Sequence, residues 1–528
     1  MKTIIKNLLK MKYIRYLFLI LFIVSCEVDL DETPPFLDDT MYSDPQSAQG
    51  ARDGLYQALT TYDTQERRIF VVNGHSGLLV TGKGGNRLNS ADNSTLFKLD
   101  AGYHGDVSAL WGGLYQAISR TNSAIINTPT VASPTTDDEK TLNDVAGHAY
   151  LVRAWSYFSL VRLWGEIPLW LELPSSGNTS KALSSQGEVY AQIVSDAKRA
   201  SELLNGAAGT GYPKQYAANM LLAKVYMTMA TNSNLGNGTW QMAYDEAKKV
   251  YGQYSLVADY GSLFTSTTEN TSESIFELQI SETATNSQMG RNYSPWKWKK
   301  GFHFGWLRVN AFFHDYHAKT YGIEDKRYAG TYLSSYFRAD NGKPVKVYPG
   351  NPGRGRFAAS HPYLFKFAEK DTSHAAQFNS QNIIIYRYAD LLLMLAEISN
   401  ELGNGEAMTY LQPVLDRAGV TARPEYSQGQ AAFRDAIMDE YKFELLGEGE
   451  DAHNNRRRGY QYFLDHTITP HNSSIGTKVW KGNKNYAANR DMIYETDETK
   501  IMKLKIPINE LNTNDLICLL YTSPSPRD

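Results

Sequence analysis

The chain has 528 residues with 53 Lys and Arg against 56 Asp and Glu, and its formal charge of −3 argues against polyanionic partners and excludes a strongly basic nucleic-acid binder. Gly (40) and Pro (19) stand near average usage and 42% of residues are hydrophobic, which excludes disordered and collagen-like chains. Two cysteines, Cys26 and Cys518, make no disulfide framework, whereas 35 Tyr, 20 Phe and 9 Trp exceed what a core of this size needs and leave rings to face a ligand.

Lys2, Lys6, Lys10, Lys12 and Arg15 precede the apolar run Leu17–Val24, which is too short to span a bilayer, so residues 1–25 are expected to be a signal peptide. The junction Ser25-Cys26 resembles a bacterial lipobox and implies acylation of Cys26 as a membrane anchor. Removing the leader takes five basic residues and shifts the formal charge from −3 to −8. Residues 26–40 form an acidic tether carrying Glu27, Asp29, Asp31, Glu32, Asp38 and Asp39, with no base before Arg52. A solvated linker accounts for it. It also resembles the acidic tag that sends certain lipoproteins to the outer face of the outer membrane.

From residue 41 the chain reads as amphipathic helices, broken by irregular stretches near 64–105 and 281–380. Leu110, Leu114, Ile118, Thr121 and Ile125 recur at helical spacing in 109–127, as do Leu151, Trp155, Phe158 and Val161 in 148–164, which Gly165 and Pro168 then stop. Segments 188–204, 216–230 and 240–252 place Ala197, Ala200, Ala218, Ala223, Ala243 and Ala247 where helices approach closely, in the manner of tetratricopeptide pairs, and 386–402 with 404–418 makes another pair. Ser274–Ile280 and Ile383–Arg387 are strand candidates, too few for a sheet-based fold. The fold class is therefore mainly α, an α-α superhelix with a loop-rich, ligand-binding subdomain about 281–380.

Several catalytic motifs fail on inspection. Gly77–Gly84 nearly spells a phosphate-binding loop, but Gly84 stands where Ser or Thr must bind magnesium. Gly74–Leu78 lacks the final glycine of a nucleophile elbow, and the eleven histidines form no His-Glu-x-x-His motif and no helical i, i+4 pair, so no metal or other cofactor is implied. Glu440, Glu444 and Glu448 share one helical face and offer the paired carboxylates of a glycosidase. With Lys442 and Arg456-Arg457-Arg458 nearby, surface salt bridges on that helix are the stronger expectation.

In order along the chain, Trp111, Tyr115, Ile118, Arg120 and Asn122, then Arg153–Phe158 with Leu160–Pro168, then Tyr388–Glu397, Arg417-Ala418-Gly419, Glu440–Gly449 and Ile506–Leu511 resemble the SusD/RagB family. It departs from the family pattern at Tyr441-Lys442 and over Glu450–Gly459. Residues 515–528, including Cys518, resemble translated adapter sequence and are expected to be non-native, leaving 41–514 as the SusD-like domain. The resemblance implies a non-catalytic surface lipoprotein that captures a polymeric nutrient and delivers it to a SusC-type TonB-dependent transporter, with an outer-membrane location and no nucleic-acid partner. A glycan is the leading ligand. Peptide or protein capture in the RagB manner is the alternative, and a surface glycoside hydrolase the third reading.

A glycan binder needs aromatic platforms with amide, guanidinium and carboxylate groups at the rim. The irregular stretches supply both: Arg87, Asn89, Asp92 and Tyr103 in the first, and Tyr293, Trp296, Trp298 and Trp306 in the second. Loops of unusual length are more often functional than not.

Overall fold

The capping signals in the sequence are met by helices in the computed structural model, which describes residues 39–81, 105–173, 178–285, 287–301, 303–349, 361–474 and 501–517. The signal peptide, Cys26, most of the tether, Arg87, Asn89, Asp92, Tyr103 and residues 518–528 lie outside the described residues. From Tyr42 onward the chain belongs to one unit. Helix α1 (Pro45–Thr60) starts on Asp44, whose carboxylate accepts the Ser47 amide at 2.8 Å. α2 (Arg67–Gly74), α3 (Gly105–Asn127) and α4 (Thr136–Trp164) follow. α4 begins at 136 rather than the expected 148 because Thr135 and Asp138 cap each other's amides, both at 3.1 Å, and its acidic first turn extends the helix beyond its apolar stripe.

The predicted repeats are present as α5 (Gln186–Leu203), α6 (Gln215–Thr231) and α7 (Trp240–Val250). Ala197, Ala200, Ala218, Ala223, Ala243 and Ala247 are all fully buried. Three helices stand in the insert, α8 (Met289–Tyr293), α9 (Ala311–Tyr321) and α10 (Lys326–Thr331), before the chain returns as α11 (Tyr388–Leu402), α12 (Ala407–Ala418) and α13 (Gln430–Leu445). α14 (Asp451–Arg457), α15 (Tyr460–Phe463), α16 (Thr469–Ser474) and α17 (Ile508–Thr513) complete the described helices. Each helix from α3 to α7 packs on the next, α7 packs on α11, and α11 packs on both α12 and α13. No helix among the described residues is long and apolar enough to cross a membrane.

The strands are short: β1 (Leu79–Thr81), β2 (Ile167–Pro168), β3 (Leu183–Ser184), β4 (Ser274–Leu278), β5 (Leu307–Val309), β6 (Tyr332–Leu333), β7 (Ser335–Phe337), β8 (Pro344–Lys346), β9 (Tyr363–Leu364) and β10 (Ile383–Arg387). The two expected strands pair with each other as β4 and β10. The stretch expected to be irregular near 64–105 is instead helical from 62 to 74, since the α2 residues from Arg68 to Gly74 are all buried and leave no polar face to mark a period. The insert likewise holds three short helices and much of a four-stranded sheet, in the order β1-β5-β9-β6.

The acidic face of α13 requires a larger correction. Glu440 and Glu444 are fully buried and do not form a surface array with Lys442 or Arg456-Arg457-Arg458. Arg387 donates to Glu444 at 2.6 Å, to Glu273 at 2.8 Å and to both oxygens of Glu448 at 2.7 and 2.8 Å. Arg417 joins Glu444 to Glu273, Arg327 joins Glu440 to Asp325, and Lys366 donates to Glu448 at 2.7 Å. The downstream arginines turn elsewhere, Arg457 and Arg458 both reaching Glu397. Residues facing the core from several elements keep the glutamates charged there, because a buried carboxylate is tolerated only when paired and hydrogen-bonded.

Removing one partner from such a network strands the remaining charge. Arg387→Ala is expected to cost roughly 3–5 kcal/mol in guanidinium denaturation; a loss near zero contradicts it. Asp451 behaves oppositely: it is buried, accepts the Gly447 amide at 2.7 Å, and burial pushes its carboxyl up to about 7. The folded chain then holds a proton that the unfolded chain releases, so this group's contribution is full at low pH and is lost as pH rises through that value. Asp451→Asn is expected to gain roughly 2–3 kcal/mol on the wild type between pH 5 and pH 8. Parallel stability profiles for the two proteins contradict this.

Candidate functional site

The antiparallel four-stranded sheet brings together segments far apart in sequence. Val80 stands opposite Arg308, Thr81 opposite Leu307, and Arg308 opposite Tyr363. The chain therefore leaves the described residues after Thr81 directly beside the start of β5, where Trp306 precedes the strand. Alternation puts Trp306 and Arg308 on one sheet face. Arg308 is 4% exposed, donates to Tyr363 Oη at 2.6 Å and to the His361 carbonyl at 3.3 Å, and lies 3.9 Å from the Tyr363 ring centre. No carboxylate pairs with it among the described residues, and its Nε has no hydrogen-bond partner there. The Tyr363 ring lies so close to Gly305, which adopts φ +55°, that a Cβ there would stand 2.4 Å from Tyr363 Cε1.

The four aromatic residues singled out in 293–306 have different surroundings. Trp306 is half-buried, stacks on Phe304 at 5.1 Å and 23°, and meets the edge of Phe70 at 5.8 Å. Arg291 covers Phe304 with its guanidinium 4.7 Å from the ring centre, so cation and rings form a ladder. Trp298 donates Nε1–H to the Glu369 carbonyl at 2.7 Å and lies edge-on to Phe365 and Tyr336, which makes it a packing ring of the insert. Tyr293 is 2% exposed and packs on Phe367, so it has no ring face to offer a ligand. Trp296 is half-buried and carries two cations, Lys297 Nζ at 4.7 Å and Arg338 Cζ at 4.6 Å from its centre.

That last grouping is built by a hairpin. β7 and β8 pair Ser335 with Lys346 and Phe337 with Pro344, and their tip docks where the Ala339 amide donates to the Lys297 carbonyl at 2.8 Å. Lys297 adopts φ +59°, unusual for a long side chain, and this brings its ammonium to Asp340. Hydrogen bonds from Arg338 and Lys297 hold the Asp340 carboxyl down at about 2. Burial, with help from Lys299 and Arg291, pushes His303 down to about 4 and leaves it neutral at pH 7. Among the described residues no three His, Cys, Asp or Glu side chains gather to hold a metal.

A second cleft, of about 380 Å³, is lined by Tyr115, Asn122, Trp170, Glu172 and Asn514. Its polar groups are largely engaged with one another: Tyr115 donates to the Pro168 carbonyl at 2.8 Å and Asn122 to those of Trp170 and Glu172 at 3.1 and 3.2 Å. Arg153 orients Asn122 from below, donating to it at 2.9 Å while holding Asp196 at 2.8 and 2.7 Å.

A family model described as SusD family matches residues 240–518, and a second, described as starch-binding associating with outer membrane, matches residues 76–227. The chain belongs to the SusD family. A SusD-like protein of Formosa agariphila is 26% identical over 539 residues, covering 95% of this chain and 96% of the relative. Among solved structures, a SusD homologue of Bacteroides thetaiotaomicron superposes with a TM-score of 0.74 at 19% identity, covering 90% of this chain and 96% of that one. A structure with a xylogluco-oligosaccharide gives 0.70 at 19%, covering 91% and 99%, and a laminarin-binding SusD-like protein gives 0.67 at 21%, covering 90% and 98%.

Sequence reasoning missed Arg291, Phe304, Arg338 and Tyr363, which the structure places against Phe304, Trp306, Trp296 and Arg308 in this SusD-family chain. A signal was present in Phe304-Gly305-Trp306-Leu307-Arg308, where large residues alternate around a glycine, but strands of two or three residues are too short to establish a period. Gly305→Ala is expected to displace the Tyr363 ring and cost about 1–3 kcal/mol. Far-UV circular dichroism should stay unchanged while thermal unfolding moves down; an unmoved transition contradicts the close approach.

Proposed function

We propose that this protein is a non-catalytic outer-membrane lipoprotein, anchored through Cys26 and exposed at the cell surface, that binds a polymeric glycan and delivers it to a SusC-like TonB-dependent transporter. The observation that carries the reading is the half-buried Trp306, stacked on Phe304 and sharing a sheet face with Arg308 at the strand end where residues 82–104 depart. Ring faces and fixed donors are what a sugar's faces and hydroxyls require. Family membership and the relatives whose structures concern xylogluco-oligosaccharide and laminarin support the same ligand class. Arg87, Asn89, Asp92 and Tyr103 are proposed as rim contacts, with Trp306 as the platform and Trp296 as a second ring.

A binding role also fits the carboxylates. A glycosidase needs two that reach the substrate, one of them with a raised pKa. Glu440 and Glu444 are fully buried; burial alone would raise Glu444, but Arg417, Arg387 and Arg327 hold it well below the usual carboxylate range.

Calorimetry of the lipoprotein against a panel of polysaccharides and peptide mixtures tests the reading. Trp306→Ala is expected to lose about 2 kcal/mol, or roughly thirtyfold in affinity, with Asn89→Ala losing less. Cys26→Ser should abolish labelling by an alkyne fatty acid, and the wild type should co-purify with a transporter from mild detergent. Capture of peptides with no glycan bound refutes the ligand class, and recovery of the lipoprotein alone refutes the partner.

A further inference from the structure

The near-neutral charge of the whole chain hides an uneven distribution. Residues 283–314 and 341–368 contain no Asp or Glu at all, whereas 56 acids in 528 residues would place about six there. They carry ten bases: Arg291, Lys297, Lys299, Lys300 and Arg308 in the first segment, Lys343, Lys346, Arg354, Arg356 and Lys366 in the second. β5 and β9 bring these two segments together through the Arg308–Tyr363 pairing. A near-neutral total charge therefore does not exclude a polyanionic partner at this face.

Some of these cations have internal work. Lys366 belongs to the core network with Glu448, and Lys299 is buried with its ammonium 2.7 Å from His374 Nδ1. Arg354 and Arg356 lie outside the described residues and Arg291 covers Phe304, which leaves Lys297, Lys300, Arg308, Lys343 and Lys346. Lys300, Lys343 and Lys346 are exposed, and none forms an ion pair among the described residues. The Lys343 carbonyl accepts the Arg338 amide at 3.0 Å, which places Lys343 beside the Lys297–Asp340–Arg338 group over Trp296. Among the described residues Asp340 is the one acid that pairs with Lys297 and Arg338, and Lys343 beside them has no acid of its own there. Arg308 is the buried guanidinium without a carboxylate on the same sheet face as Trp306. Glu369, Asp371 and Glu282 lie around Lys299 and His374.

Resting on the glycan reading above, we infer that the ligand of this face is an anionic glycan, one carrying carboxylate or sulfate groups. Rings and cations arranged together serve such a polymer doubly: the sugar faces stack while the acidic substituents meet Lys297, Arg338, Lys343 and Lys346. Trp296, already covered by two cations, presents charge more than bare ring. A cationic surface of this kind also raises the local concentration of a polyanion and speeds its capture, in a manner that salt weakens.

The test uses the full lipoprotein in detergent and polymers paired by backbone: polygalacturonate against its methyl ester, and a sulfated galactan against its desulfated form. At least one acidic member should bind about tenfold or more tightly than its neutral partner, and less tightly as salt rises. The polygalacturonate and galactan arms distinguish carboxylate from sulfate recognition. Lys343→Glu with Lys346→Glu, both exposed and distant from the core, should lose about tenfold on the acidic polymer with unchanged thermal unfolding. Equal affinity for both members of each pair, preference for the neutral members, an unaffected double variant, or equal competition by a single-stranded oligonucleotide overturns the inference while leaving glycan capture standing. Binding of peptides with no glycan of either kind overturns glycan capture, and this inference with it.

Discussion

Three arginines and a lysine held against the acidic face of one helix fix the relation between scaffold and insert. Arg387 comes from the junction of β10 and α11, Arg417 from the end of α12, and the glutamates from α13 and the turn after it, while Arg327 and Lys366 come from the insert. Every tie between Glu440, Glu444 or Glu448 and these last two residues is a tie between the superhelix and the insert. Ion pairs away from water are satisfied in few arrangements, because a displaced partner leaves a bare charge in a medium that solvates it poorly. An apolar contact between the same elements would slide more readily. The network therefore contributes position more than net stability.

The same motif residues that mark the family do this structural work. Arg387 precedes the Tyr388-Ala389-Asp390 run, Arg417 opens Arg-Ala-Gly, and Glu444 and Glu448 lie in the acidic segment, so three separate motifs converge on one cluster. At the other end of the scaffold, Arg153, Asn122 and Tyr115 hold the backbone of 168–172. Gly419, which ends α12 in the left-handed region, allows its amide to reach Asp416 and lets Val420 bond back to Leu415. These residues set geometry for a surface they do not touch.

The residues of the candidate site obey a looser logic. Trp306, Phe304 and Arg291 form a ladder from a strand end and its preceding turn, and Trp296 is loaded with cations by a hairpin that arrives from forty residues later. Neighbouring rings in sequence end in different roles: Trp296 near solvent, Trp298 locked by Glu369 and Phe365, Tyr293 in the core. Such a surface can exchange rings and charges without disturbing the buried network that carries it.

By itself the sequence determined the helical class, the positions of α5, α6, α7, α11 and α12, and the close helix approaches at alanine, because periodicity and capping are local properties of a continuous segment. It also identified the family, through motifs whose spacing survives divergence. What it could not determine were the partners of Glu440, Glu444 and Glu448, read as a solvated face because carboxylates at helical spacing look alike whether water or arginine answers them. Nor could it separate Trp306 from Tyr293, or join Arg308 to Tyr363. Those outcomes depend on residues tens to hundreds of positions apart meeting across very short strands, and a pairing of that kind leaves no periodic trace in either segment. Only the tertiary structure decided which aromatic rings were left at the surface and which charges were left without a counterpart.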